Sequence, residues 1–219
     1  MARQIKVLVV DDSALVRGIL CQGLARDPGI LVVGNASDPY SARDQILKHS
    51  PDVLTLDVEM PRMDGVEFLR RLMPQYPIPV VMVSALTERG KQITLDALAA
   101  GAVDFVTKPK ADVARGLEAM MTELCTKVKI ASTANVSHWK HKRQESAPVR
   151  ASTSALPEST DKVVAIGAST GGTEAVKDVV SALPATKAGV VVVQHMPAGF
   201  TKLFAERLNS LCAMEVKEA

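Results

Sequence analysis

The chain has 219 residues, 47% hydrophobic and 23% charged, which suits a globular protein with one large domain or two modest ones. A formal net charge of +2 supplies no concentrated basic stripe, so composition argues against a nucleic-acid or membrane-surface partner. Cys21, Cys125 and Cys212 are odd in number, far apart and outside any C-x-x-C pair, which disfavours a disulfide framework or a zinc site and fits a reducing compartment.

Five short runs rich in Val, Ile and Leu occupy residues 5–10, 31–33, 53–56, 80–83 and 103–106, each of strand length. Between them lie residues at helical spacing: Leu15, Ile19 and Leu24, then Val66, Leu69 and Leu72, then Ile93, Leu95 and Leu98. A fifth helix is expected over residues 112–129. Alternating strands and helices predict right-handed crossovers and a doubly wound α/β domain. Its five-stranded parallel sheet is covered on both faces, so its strands read as continuous apolar runs.

From residue 131 to 161 the periodicity stops and Ser, Thr and Pro accumulate, the composition of a flexible linker. Across residues 127–150, Lys127, Lys129, Lys140, Lys142, Arg143 and Arg150 stand against Glu145 alone and read as solvated charge, with only Trp139 able to stack on a base. His138 and His141 have no further ligand beside them and are assigned no function. A second parallel α/β domain then begins, with strands at 163–166 and 190–193 and helices at 173–183 and 201–211. The expected division is 1–130, a linker at 131–161, and an incomplete domain at 162–219. No stretch approaches the roughly 18 apolar residues of a membrane span, and the chain is read as a cytoplasmic monomer.

Ligands of an open parallel sheet collect outside the carboxyl ends of its strands, near the point where strand order reverses. Asp11 and Asp12 follow the first strand, Asp57 ends the third, Ser84 follows the fourth and Lys108 the fifth, so all five converge on one crevice. Three carboxylates there repel one another unless a cation joins them, and oxygen-only ligands suit Mg²⁺. A carboxylate beside that ion can attack phosphorus while Lys108 and Ser84 clasp the phosphoryl oxygens. Taken singly, Asp-Asp after a strand is an ordinary helix N-cap and Lys108 an ordinary surface charge.

Val9-Val10-Asp11-Asp12-Ser13, Asp57-Val58-Glu59-Met60-Pro61, Ser84-Ala85 and Phe105-Val106-Thr107-Lys108-Pro109 fall in the order and spacing of the response-regulator receiver family, and residues 3–124 resemble it. The resemblance implies a flavodoxin-like fold, Asp57 as phosphoacceptor, and phosphorylation by a histidine kinase. It implies Asp12, Asp57 and the Glu59 main-chain carbonyl as metal ligands, with Asp11 in support through water. Ser84 and Lys108 would touch the phosphoryl group, Phe105 would be the switch aromatic, and the peptide before Pro109 would be cis.

The sixth apolar run leads into Gly167-Ala168-Ser169-Thr170-Gly171-Gly172, which matches G-x-S-x-G, a tight strand-to-helix turn that lifts a serine hydroxyl clear of the sheet. Ser169 stands where a G-x-G-x-x-G loop needs glycine, and Thr173-Glu174 replaces the Lys-Ser/Thr of a Walker loop, so nucleotide binding is disfavoured. The alternative is a plain glycine-rich turn. The seventh run delivers Gln194-His195-Met196-Pro197 to the same edge, where His195 can deprotonate Ser169.

With a receiver ahead of them, these motifs resemble the chemotaxis-type protein-glutamate methylesterases, and the second domain is then Rossmann-like. That resemblance implies Ser169 as nucleophile, His195 as general base, glutamate methyl esters on chemoreceptors as substrates and glutamine deamidation as a second activity. It implies no cofactor for ester hydrolysis. The family's third catalytic residue is a late aspartate, and this sequence has no Asp after Asp178, only Glu206, Glu215 and Glu218. Loss of a triad Asp costs about 10⁴ in turnover, so these residues alone are expected to lack esterase activity. The alternative is a non-catalytic phospho-receiver that binds partners. A transcription factor is disfavoured, because nothing after Asp161 resembles a helix-turn-helix.

Overall fold

The computed structural model describes residues 3–85, 87–109, 113–141, 163–184 and 188–219. They form two compact units, Met1–Arg143 and Gln144–Ala219.

The first unit runs β1 (Ile5–Val10), α1 (Ala14–Ala25), β2 (Ile30–Ala36), α2 (Pro39–His49), β3 (Val53–Asp57), α3 (Gly65–Leu72), β4 (Val80–Ala85), α4 (Glu88–Ala99), β5 (Asp104–Lys108) and α5 (Val113–Ala131). Side chains placed just before four helices set where the chain turns. Ser13 accepts from the Val16 N–H, Asp38 from Tyr40 and Ser41, Asp64 from Glu67, and Thr87 from Gly90. Each satisfies donors that the first helical turn would leave unpaired.

All strand pairs are parallel, in the order β2-β1-β3-β4-β5. Every residue of β3 is buried. Val7 to Val10 and Val80 to Val83 flank it with buried side chains, which is why these runs carry no polar alternation. The chain leaves β1 toward β2 on one side and enters β3 on the other, so the order reverses between β1 and β3. Val10 pairs with Leu56 across that point, and the register therefore sets Asp11 beside Asp57. A Cβ on Gly65 would come 2.4 Å from the Asp57 carbonyl oxygen, so only glycine lets α3 start directly over the end of β3.

Four strands of the first unit extend past their apolar runs, β2 to Ala36, β3 to Asp57, β4 to Ala85 and β5 to Lys108. Main-chain pairing continues under polar side chains that apolar periodicity does not register. Ser137–His141 forms a 3₁₀ turn, Val136 is buried, and the Trp139 ring lies so close to Gly101 that a Cβ there would meet it at 3.0 Å. Linker positions Lys142, Arg143, Glu145 and Arg150 lie outside the described residues. No described peptide bond is cis, so Lys108-Pro109 is trans, against the family expectation. The dipeptide itself favours trans by about 0.5–1 kcal/mol.

The second unit contains β6 (Val163–Ala168), α6 (Gly172–Ala182), β7 (Gly189–Gln194) and α7 (Thr201–Leu211). β6 and β7 pair in parallel from Val163 with Gly189 to Ala168 with Gln194. Val176 and Val180 on α6, Phe200 just before α7, and Phe204 and Leu208 on α7 are buried. Val163, Val164, Val191 and Val193 stay exposed. No described helix is long and apolar enough to cross a membrane.

Candidate functional site

The ends of β1, β3 and β5 bring four of the predicted residues together. Carboxylate oxygens of Asp11, Asp12 and Asp57 all lie within 4.8 Å of one another, with Asp11 and Asp57 buried and Asp12 exposed. Lys108 Nζ bridges the two buried acids, 3.0 Å from Asp11 and 3.0 Å from Asp57. One ammonium thus faces three carboxylates.

Electrostatics follow from that imbalance. Burial pushes the Asp57 carboxyl up to about 6. The Lys108 ammonium opposes the rise, the neighbouring Asp11 adds to it, and the Glu59 main-chain N–H, which donates to the carboxylate, opposes it. Burial alone would lower the Lys108 ammonium, but Asp57 and Asp11 outweigh it and hold its pKa above the usual lysine value. Lys108 is therefore a fixed positive charge, and Asp57 is the acid with the unsettled proton.

The Ser13 N–H donates to Asp11 at 2.9 Å. Arg17 Nη1 donates to the Asp11 carbonyl at 2.8 Å and the Asp12 carbonyl at 3.0 Å, which fixes the turn that presents both acids. Sequence reasoning missed Arg17; its spacing, five and six residues after the acids on the following helix, was the available signal. Arg62, in the loop after β3, holds a left-handed backbone at φ 69°.

Ser84 stands at the end of β4 but bonds elsewhere. Its hydroxyl contacts Thr94, Gly90 and Ala85 around the first turns of α4. Phe105 is buried, with Lys127 Nζ 5.3 Å from its ring centroid. Lys127 also donates to the Phe105 carbonyl at 2.6 Å and pairs with Asp104 and Glu123. Lys127 was read from sequence as one charge of a basic run and is instead a buried clamp on β5.

In the second unit, Ser169 and His195 each follow a residue of the last pair in the β6–β7 ladder, Ala168 with Gln194. Both are exposed. The His195 N–H donates to the Ala168 carbonyl at 3.0 Å. Gln194 Nε2 ties the two turns together, reaching the Ser169 carbonyl at 3.0 Å and the His195 carbonyl at 3.1 Å. Gly171 takes a left-handed φ of 75°, and a Cβ on Gly172 would sit 2.3 Å from Gln194 Oε1, so each glycine has a steric reason. No hydrogen bond joins the Ser169 and His195 side chains among the described residues. The register makes them neighbours without engaging them.

Residues 7–120 match the response regulator receiver domain family. The chain belongs to that family. Over 61% of this chain and 99% of the other, the receiver is similar to the response regulator domain of Thermotoga maritima CheB, with 42% identity and a TM-score of 0.55. It is also similar to the signal receiver domain of the response regulator NarL from Mycobacterium tuberculosis, with 30% identity and a TM-score of 0.52.

Behind the receiver, residues 164–219 match the CheB methylesterase family. The whole chain is 72% identical, over 222 residues, to a protein-glutamate methylesterase/protein-glutamine glutaminase of Syntrophotalea carbinolica, and covers 63% of it. A protein of the same description from Cupriavidus metallidurans is 54% identical over 218 residues, with 61% of it covered. The chain thus spans less than two thirds of these curated relatives. A receiver followed by part of a CheB-like methylesterase domain is the organisation that the matches define.

The raised Asp57 carboxyl gives a signed pH dependence. A folded value of about 6 against an ordinary 3.8 means that the folded receiver holds this proton longer than the unfolded chain. The associated stability is complete below pH 4 and lost as pH rises through about 6. Relative to Asp57→Asn, the parent should lose on the order of 3 kcal/mol between pH 4 and pH 7, read by urea unfolding without divalent ions. Parallel pH profiles would contradict it.

Proposed function

We propose that this chain is the phosphorylation-controlled part of a chemotaxis protein-glutamate methylesterase and glutamine deamidase, with Asp57 as the phosphoacceptor. The reading is carried by the Asp57 carboxylate held 3.0 Å from Lys108 inside a cluster of three acids. A histidine kinase is the natural phosphodonor, methylated chemoreceptors are the substrates, and the cytoplasm is the compartment.

A divalent cation fits the acidic cluster, because its oxygen donors carry more negative charge than Lys108 neutralises. Asp12, Asp57 and the Glu59 main-chain carbonyl would hold Mg²⁺, with Asp11 in support, and the bound ion would offset charge on the phosphoryl oxygens. The chain's own residues do the rest. An Asp57 carboxylate oxygen attacks phosphorus in line, the bond from phosphorus to the donor's nitrogen or oxygen breaks, and the donor group leaves with the electron pair. Lys108 stays against the transferred oxygens as a fixed counter-charge, and Ser84 would add a hydroxyl donor. Buried Phe105 beside Lys127 would report the change to the surface of the receiver.

In the second unit, Ser169 Oγ would attack the ester carbonyl, His195 would take its proton, and methanol would leave before water hydrolyses the acyl-serine. Support comes from the strand register that makes the two residues neighbours. A receiver that acts only by binding is the second reading, favoured because the Ser169 and His195 side chains are exposed and share no hydrogen bond among the described residues.

Acetyl phosphate with Mg²⁺ should label the parent at one site and leave Asp57→Asn unlabelled. Lys108→Met should slow labelling by about 10-fold to 100-fold, the worth of one charged hydrogen bond. Equal labelling of parent and Asp57→Asn would overturn the receiver chemistry. The same 219-residue protein, phosphorylated and mixed with methylated receptor, should release no methanol above background. Phosphorylation-stimulated release lost in Ser169→Ala would reject the second reading.

A further inference from the structure

A buried pair of hydroxyls links the end of β4 to α4. Ser84 and Thr94 are both fully buried. Thr94 Oγ1 lies 2.7 Å from Ser84 Oγ and 2.6 Å from the Gly90 carbonyl oxygen. Ser84 Oγ is 3.3 Å from the Ala85 carbonyl and 3.4 Å from that of Gly90, at the weak limit of hydrogen bonding.

The two short separations decide where the protons sit. A hydroxyl has one proton to give, and a carbonyl oxygen has none. Both short contacts are bridged together only when Thr94 donates to Gly90 and accepts from Ser84. If Thr94 turned its proton to Ser84 instead, two oxygens would face each other at 2.6 Å with no proton between them. The Ser84 proton is therefore committed to α4 and not to the acidic cluster.

The backbone around the pair leaves little freedom to absorb a change. Thr87 Oγ1 accepts from the Gly90 N–H at 2.9 Å, and a Cβ at Gly90 would lie 2.4 Å from the Ala85 carbonyl oxygen. The first turn of α4 is thus pressed against the end of β4, and the Ser84 hydroxyl is the group free to rotate.

We propose that Thr94 is a positioning residue for phosphoryl acceptance. It holds the Ser84 hydroxyl toward α4 in the unmodified receiver, so that Ser84 must give up its hydrogen bond to Thr94 before it can donate to a phosphoryl oxygen. The inference rests on the reading of Asp57 as phosphoacceptor with Ser84 as a donor beside it.

Beryllofluoride with Mg²⁺, a phosphoryl mimic, is the probe, and its affinity for the 219-residue chain is read by fluorine NMR. Thr94→Val removes the acceptor that Ser84 must leave, so binding should tighten about fivefold, the size of one ordinary hydrogen bond. Thr94→Ser should return the parent affinity, and in a Ser84→Ala background Thr94→Val should change nothing. A packing role alone would move the unfolding midpoint without this dependence on Ser84. In the parent, the Thr94 amide and methyl resonances should also shift on adding beryllofluoride and stay unmoved in Ser84→Ala, a measurement that does not require the Thr94 variants to fold. Unchanged or weaker binding by Thr94→Val, an equal gain without Ser84, or silent Thr94 resonances in the parent would each overturn the proposal while leaving Asp57 as phosphoacceptor. A parent that binds no beryllofluoride, or binds it equally after Asp57→Asn, would remove both.

Discussion

Three carboxylates held within 4.8 Å of one another against a single ammonium form the constraint on which the receiver depends. Like charges at that spacing are costly in a site where two of the acids are withdrawn from water. The fold tolerates the cost because the acids follow strand ends whose positions are fixed by the buried parallel ladder. Burial raises the Asp57 carboxyl to about 6, with Lys108 opposing the rise and Asp11 adding to it, and Lys108 remains cationic between its two partners. A site so arranged has carboxylate oxygens beside Lys108 that its single charge does not balance.

Both units use the same device at different chemistry. A parallel strand ends, a small residue permits a close turn, and the polar side chain carried there faces the carboxyl edge of the sheet. Gly65 lets α3 start over Asp57, and Gly172 lets α6 start against Gln194. In the receiver the ends of β1, β3 and β5 bring Asp11, Asp12, Asp57 and Lys108 together. In the second unit the described residues form the β6–β7 pair, where Ser169 and His195 are neighbours by register while their side chains remain exposed and share no hydrogen bond among the described residues.

The sheet and the acidic cluster were legible in the sequence because their signals are local. Val7 to Val10 and Val80 to Val83 announce buried strands, and Asp11, Asp12, Asp57 and Lys108 each sit within two residues of a strand end. What escaped was side-chain engagement across elements. Arg17 reads as any helical arginine, yet it fastens the carbonyls of Asp11 and Asp12. Lys127 looks like part of a basic linker because charge counting cannot see that it is buried against β5. The direction of the Ser84 hydroxyl depends on Thr94, ten residues away on a helix that carries no motif. Residues 132–141 lacked periodicity because they form a short turn resting on the receiver, where a single tryptophan and a buried valine suffice.

The central claim concerns the buried Asp57 carboxyl inside the acidic cluster, and the carboxyl carbon of that residue reports it directly. A carbon-13 NMR titration of the parent without divalent ions should give an Asp57 midpoint near 6. Saturating Mg²⁺ should move the midpoint downward, since a cation among the acids favours the ionised form. An Asp57 carboxyl that titrates in the ordinary carboxylate range and ignores Mg²⁺ would contradict the account.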